Sequence, residues 1–404
     1  MNTSGDEVLH TYALGNDVAM PKCPPVRIAH LILDMGFGGA ERLVQDIAIA
    51  LQGDGVSSSV LCLDAITGNT APLVRHNIPV ELIKRSPMAF DIKACIQVVR
   101  RLKARRVQLV HAHDMASMVH AVAAGLVLGI PVVVTEHSRH YIDERWLRRL
   151  EKRLLCLGVT TLVEVSPELA QASIQREGIS SDTVAVIENG VDSSGFGVAD
   201  PGPFRAELGL EPGCLLLGMV GRLETIKGPG VLLEAFAAVA KEAPEVQLAF
   251  IGDGNLRQAL QSRAKALGLE ARVRFLGVRA DVPAIMAGLD VLVLPSLSEG
   301  LPFALLEGMA AGRAVVASAV GRIPAIVSSS TGSGESGPEN GLLVPPGEAG
   351  PLARALAAVL RDEPRRLAMG RAARQSVASR YDKNIMVKAY SAVYARALAR
   401  GARP

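Results

Sequence analysis

The chain has 404 residues, 49% of them apolar and 3% aromatic, and its 43 Lys and Arg against 40 Asp and Glu leave a net charge of +3. That length exceeds one ordinary hydrophobic core and predicts two domains, while the near-balanced charge and the scarcity of rings on which bases stack argue against a nucleic-acid binder. The five cysteines, Cys23, Cys62, Cys95, Cys156 and Cys214, form no Cys-x-x-Cys or Cys/His pattern, so the expectation is reduced thiols in a cytoplasmic protein.

Residues 1–25 carry Asp6, Glu7 and Asp17 and no apolar stretch; they read as a flexible lead-in rather than a secretion signal. From Val26 onward, apolar runs at 26–33, 56–63, 107–111, 132–135, 161–165 and 184–187 alternate with helical periodicity near 39–52, 92–106, 115–127, 143–157 and 167–177. Such alternation predicts a parallel sheet with right-handed crossovers. The longest apolar stretch, 115–134, contains His120, Gly125, Gly129 and Pro131, and reads as helix, turn and buried strand rather than a membrane span. A Gly- and Pro-rich segment at 195–213 interrupts the pattern and marks the expected domain boundary. The alternation then resumes with strands at 215–220, 246–251, 273–276, 291–294, 315–317 and 342–344. This gives a first domain over 26–200, a second over 201–381 and a closing helix in 382–404. Residues 328–340 are a low-complexity insert. Two doubly wound α/β domains are expected, with ligands bound where the carboxyl ends of the strands converge.

Several strand ends carry groups suited to chemistry. The first strand runs into Leu-Asp-Met-Gly-Phe-Gly-Gly-Ala-Glu-Arg at 33–42, where glycines let backbone N–H groups approach an anion at a helix start. Val-His-Ala-His-Asp at 110–114 and Thr-Glu-His-Ser at 135–138 place histidines at two neighbouring strand ends. No cysteine or acidic cluster accompanies them, and His111 and His113 would face opposite sides of a strand continuing through both, so no metal is expected. In the second half, Met-Val-Gly-Arg-Leu-Glu-Thr-Ile-Lys-Gly at 219–228 sets Arg222 and Lys227 between a strand and a helix start, a pairing suited to clamp pyrophosphate. After the apolar run 289–294 come Glu299 and Glu307, with seven residues between them as Glu-x7-Glu, Pro302 expected at the first helical position and Gly312 as the helix stop. Carboxylates there are acceptors for the paired hydroxyls of sugars and ribose. A basic run over 84–106 holds eight Lys or Arg against Asp91 alone. With the segment 145–153 around Trp146, it offers a surface for an anionic bilayer or simply a solvated helix face.

In this order, and over about 26–397, these segments resemble the retaining GT-B glycosyltransferases of family 4. The resemblance implies two Rossmann-like domains facing across a cleft, and transfer of a sugar from a nucleotide-diphosphate sugar to a sugar or lipid-linked glycan acceptor with retention. It assigns the donor sugar to Glu299 and the backbone of Gly300, Leu301, Pro302 and Phe303, the ribose to Glu307, and the diphosphate to Arg222, Lys227, Gly38 and Gly39. It places His113 beside the donor sugar, with His137 a further candidate, and the backbone at Val278 beside the base. The final helix is implied to return to the first domain. The absence of an Asp-x-Asp motif implies metal independence, and no cofactor is expected. A sugar-nucleotide epimerase shares the two-domain plan but needs acid/base carboxylates that these motifs do not supply. A catalytically silent nucleotide-sugar-binding partner is the other alternative, and the intact Arg222, Lys227, Glu299 and Glu307 argue against it.

Overall fold

A computed structural model describes residues 25–36, 38–52, 55–86, 91–137, 146–328 and 338–401. The lead-in 1–24, part of the 84–106 run and most of the 328–340 insert lie outside the described residues. The chain forms two compact units: Met1–Asn189 together with Asn384–Pro404, and Gly190–Lys383.

The first unit contains, in order, β1 (Val26–Asp34), α1 (Gly39–Gln52), β2 (Val56–Ala65), α2 (Ala71–Arg75), β3 (Val80–Leu82), α3 (Ile92–Ala104), β4 (Leu109–Ala112), α4 (Met115–Leu128), β5 (Val132–Glu136), α5 (Trp146–Cys156), β6 (Thr161–Glu164), α6 (Pro167–Gln175) and β7 (Val184–Val186). The strands make a parallel sheet in the order β3-β2-β1-β4-β5-β6-β7. They read as nearly unbroken apolar runs because helices cover both faces. On one face, β1, β2, β4 and β5 pack against Ala94, Val98 and Leu102 of α3 and Met118 and Ala121 of α4. On the other, Ile32, Val60 and Cys62 meet Val44 and Ala48 of α1. The order reverses between β1 and β4, so the segments leaving those two strands flank a switch point. There His30 of β1 is registered opposite His111 of β4.

The second unit follows with α7 (Ser193–Gly197), α8 (Gly202–Glu207), β8 (Leu215–Val220), a 3-10 turn at Thr225–Lys227, α9 (Pro229–Glu242), β9 (Val246–Ile251), α10 (Arg257–Ala266), β10 (Val273–Gly277), α11 (Val282–Gly288), β11 (Val291–Leu294), α12 (Phe303–Ala310), β12 (Ala314–Ser318), β13 (Leu342–Val344), α13 (Ala349–Arg361) and α14 (Glu363–Arg380). Its parallel sheet runs β10-β9-β8-β11-β12-β13, and the reversal lies between β8 and β11. A last helix, α15 (Lys383–Gly401), begins at the unit boundary. Its Tyr390 and Tyr394 are fully buried in the first unit, where the Tyr394 hydroxyl lies 2.6 Å from Nδ1 of His111.

Three local expectations change. The edge strand β3 has only three residues, too few to show a period of two, and sequence periodicity passes over it. The segment 195–213 is not a loose linker. It folds into α7 and α8, whose Phe196 and Phe204 are buried in the second unit's core, and the units divide instead at Asn189/Gly190. Pro302 is the N-cap of α12 rather than its first helical residue, whereas Gly312 follows the C-cap Ala311 with φ +70° as expected of a helix stop. Among the described residues, no helix is long and apolar enough to cross a membrane.

Candidate functional site

In the second unit, the order of the strands brings distant motifs together. β8 and β11 are neighbours, so the turn Thr225–Lys227 and the loop after β11 leave the sheet side by side. The Leu297 amide donates to the Ile226 carbonyl at 2.8 Å. Gly228, at φ +67°, lets the backbone turn left-handed, and a Cβ there would sit 2.1 Å from the Pro295 carbonyl oxygen; only glycine permits this approach. The result is a direct ion pair: Lys227 Nζ lies 2.7 and 2.8 Å from the two carboxylate oxygens of Glu299. Ser296 Oγ donates to the same Glu299 Oε1 at 2.7 Å. The side chains of Lys227 and Glu299 are 24% and 7% exposed, so water screens this pair only in part. On the far side of the loop, a Cβ at Gly321 would overlap the Glu299 carbonyl oxygen, and the Arg322 amide donates to the Gly300 carbonyl at 3.2 Å. Glu299 is thus held from three sides.

Pro302 caps α12 without a side-chain partner for the first-turn amides, which leaves a partially positive helix start. Leu301 and Pro302 are buried and Gly300 and Phe303 partly so, while Glu307 stands half-buried, one turn further along α12. Arg222 is 62% exposed and pairs with Glu224 at 3.0 Å; an exposed pair of this kind contributes little and is readily exchanged. Val278, just past β10, is exposed. The structure therefore joins Lys227 to Glu299 and leaves Arg222, Val278 and Glu307 on separate segments of the same unit.

In the first unit, Gly38 and Gly39 stand at the start of α1, and the Glu41 side chain folds back over Gly38. Burial raises the Glu41 carboxyl above its usual range, opposed by hydrogen bonds from the Glu41 and Gly38 backbone. Across the switch point, β4 ends at Ala112, and His113 turns out of the strand instead of alternating to the opposite face. The expected separation of the two rings is corrected accordingly: the His111 and His113 centroids are 3.9 Å apart. Asp114 caps α4, its Oδ1 accepting the Ser117 amide at 2.6 Å. The Asp of this motif is thereby a helix cap. His30 Nδ1 is 3.1 Å from His113 Nε2, and the His137 ring stacks 5.8 Å from that of His113. Burial pulls His30 and His137 down to about 4. It pulls His111 and His113 well below the usual value too, helped by the neighbouring rings. All four are neutral at pH 7.

The sequence matches the family model for Glycosyltransferase Family 4 over residues 37–194 and that for Glycosyl transferases group 1 over 203–376. The chain belongs to the GT-B glycosyltransferases of family 4. It is 27% identical over 323 residues to the UDP-Gal:alpha-D-GlcNAc-diphosphoundecaprenol alpha-1,3-galactosyltransferase of Escherichia coli, covering 76% of this chain and 80% of that one. It is also 27% identical over 378 residues to the 2-deoxystreptamine glucosyltransferase of Streptomyces kanamyceticus, covering 87% and 89%. The fold matches Anabaena Alr3699/HepE in complex with UDP, with a TM-score of 0.77, 24% identity and coverage of 92% of this chain and 100% of that one.

Within this glycosyltransferase, sequence reasoning missed Ser296, His30 and the pair Tyr390 and Tyr394. Ser296 had a signal, since it is a hydroxyl residue straight after the apolar run into Pro295 and three positions before Glu299. His30 had one too, as the one titratable residue inside the otherwise apolar run 28–33.

Proposed function

We propose that this glycosyltransferase moves a sugar from a nucleotide-diphosphate sugar to a hydroxyl acceptor with retention at the anomeric carbon, in the assembly of a bacterial polysaccharide or lipid-linked glycan. The observation that carries this reading is the Lys227–Glu299 pair beside the start of α12. When the donor arrives, Lys227 turns its ammonium to the diphosphate and Arg222 leaves Glu224 to join it. Glu299 and the backbone of Gly300, Leu301, Pro302 and Phe303 take the sugar hydroxyls. Glu307 takes the ribose hydroxyls, the backbone at Val278 the base, Gly38 and Gly39 the diphosphate, and His113 the sugar, with His137 behind it. As the bond from the anomeric carbon to phosphate oxygen breaks, the acceptor oxygen attacks the same face, and its proton passes to the leaving phosphate. The cations stabilise the charge that develops there, in place of a metal ion. The names of the relatives favour a uridine diphosphate sugar.

Incubation with a panel of UDP-sugars and hydroxyl acceptors, with the product's anomeric configuration read by NMR, tests this. The α-linked donor is expected to give an α-linked product, with full rate in excess EDTA. An inverted product overturns the retaining mechanism. Loss of activity restored by Mg²⁺ or Mn²⁺ overturns metal independence.

The proposed acceptor side includes an anionic bilayer. On α3, Ile92 and Ile96 are exposed beside Lys93, Arg100 and Lys103, and on α5, Leu150 and Leu154 are exposed beside Arg153. Each cation near an anionic surface contributes about 1 kcal/mol at most. The protein is expected to co-sediment with vesicles containing phosphatidylglycerol at low salt and to be released as salt shortens the Debye length. Retention in the supernatant at low salt would make these helices ordinary solvated faces and favour a water-soluble acceptor.

A further inference from the structure

His30, His111 and His113 place ring nitrogens within 4.8 Å of one another deep in the first unit. Three converging imidazoles invite a metal assignment, but His111 is already committed. Its Nδ1 lies 2.6 Å from the Tyr394 hydroxyl and its Nε2 2.8 Å from Thr135 Oγ1, and Thr135 Oγ1 is in turn 3.1 Å from the Tyr390 hydroxyl. His111 belongs to a closed polar ladder that seats α15. What remains is the pair His30 and His113, whose rings stack at 5.3 Å with 28° between their planes.

A neutral imidazole carries one N–H and one bare nitrogen. Contact between His30 Nδ1 and His113 Nε2 at 3.1 Å therefore has one proton between them. The other nitrogens, His30 Nε2 and His113 Nδ1, are buried without a hydrogen-bond partner among the described residues. If His113 donated, His30 would hold its proton on Nε2, a buried N–H with no acceptor. If His30 donates, the orphaned N–H is instead Nδ1 of His113; the free protein holds one unsatisfied buried N–H either way, and only on His113 can a bound sugar oxygen accept it. His113 then carries its own proton on Nδ1, on the side of the ring away from His30. We propose that His30 is a positioning residue that fixes His113 as the Nδ1–H tautomer, so that His113 meets a sugar oxygen as a hydrogen-bond donor. This rests on the reading of His113 as the group that touches the donor sugar. The unsatisfied His113 Nδ1 finds its partner when that sugar binds.

The test combines spectroscopy and kinetics on the full chain labelled with ¹⁵N-histidine. In the wild type, long-range ¹H–¹⁵N correlation is expected to show His113 protonated on Nδ1. His30→Leu removes the donor and is expected to shift His113 toward the Nε2–H form. It should also lower kcat about 10- to 100-fold through loss of orientation, with a smaller change in donor KM. His30→Asn puts a side-chain N–H close to where Nδ1 stood, and is expected to restore both the spectrum and most of kcat. An Nε2–H form of His113 in the wild type overturns the proposal, independently of how any variant folds. Wild-type kcat in a folded His30→Leu protein does the same. His113→Ala separates the two levels: wild-type turnover there removes the role of His113 itself. An inactive His113→Ala beside an unaffected His30→Leu removes only the positioning role.

Discussion

Lys227→Ala is expected to lower kcat by on the order of 10²- to 10³-fold, the usual loss when one preorganised group facing developing charge is removed. The ammonium is bonded to both oxygens of Glu299 in the free protein, which holds it beside the start of α12 until it turns to the diphosphate of the bound donor. The negative charge it answers grows as the diphosphate departs, so the loss should fall on kcat more than on donor KM. A stability cost accompanies it. Glu299, 7% exposed, would keep, among the described residues, the Ser296 hydroxyl as its side-chain partner, at about 1 to 3 kcal/mol for a charge left short of partners. Glu299→Gln breaks the same ion pair without removing the cation, so its thermal melt isolates the stability cost of losing the pair, while its kinetics also carry the loss of a proposed sugar ligand. Steady-state kinetics at saturating donor, with thermal melts on both variants, decides the matter. Wild-type turnover by Lys227→Ala would take Lys227 out of the mechanism.

The pairing behind that prediction was only half legible in the sequence. Arg222, Lys227, Glu299 and Glu307 each stand between an apolar run and a helix start, and local pattern suffices to find them. That Lys227 and Glu299 touch depends on β8 lying beside β11, strands separated by two others in the chain, and strand order leaves no mark on local periodicity. The same holds for Tyr394, which meets His111 across 283 positions. His111 and His113 were misplaced for a different reason: alternation presumes a continuing strand, and β4 stops at Ala112. At 195–213, glycine and proline were read as a break. The stronger signals were Phe196 and Phe204, too large and apolar for a solvated linker. The two-domain α/β plan itself was legible because its strands, buried on both faces, differ so plainly from its amphipathic helices.

A second large effect is expected away from the proposed chemistry, at Lys152 on α5. It is 5% exposed and meets three carboxylates: Glu136 at the end of β5, Glu177 at 2.6 Å and Glu164 at the end of β6 at 3.8 Å. Burial draws the Lys152 ammonium down, but Glu136, Glu164 and Glu177 more than offset it and hold the group charged. Lys152→Met keeps the aliphatic bulk and removes the cation that meets all three carboxylates, and is expected to destabilise the first unit by about 3 to 5 kcal/mol, as when one partner of a buried ion pair is lost. Urea unfolding followed by fluorescence of Trp146, the chain's one tryptophan, reports it from the start of α5. The pH dependence supplies a signature that lost packing alone would not. Burial and then repulsion from Glu136 push Glu164 up to about 8, against about 4.3 in an unfolded chain. The folded protein therefore binds the extra proton between those values. Its contribution is fully present below the unfolded value and is lost as pH rises toward 8. The buried His30 has the opposite sign, costing stability as pH falls from about 6.5 toward 4, so the two trends oppose each other below about 6.5 and the Glu164 trend is read above it. Glu164→Gln imitates the protonated acid and should flatten the decline between pH 6 and 8. A Lys152→Met protein as stable as the wild type, or a Glu164→Gln protein with an unchanged pH profile, would mean that water reaches this cluster and that its charges are solvated rather than paired.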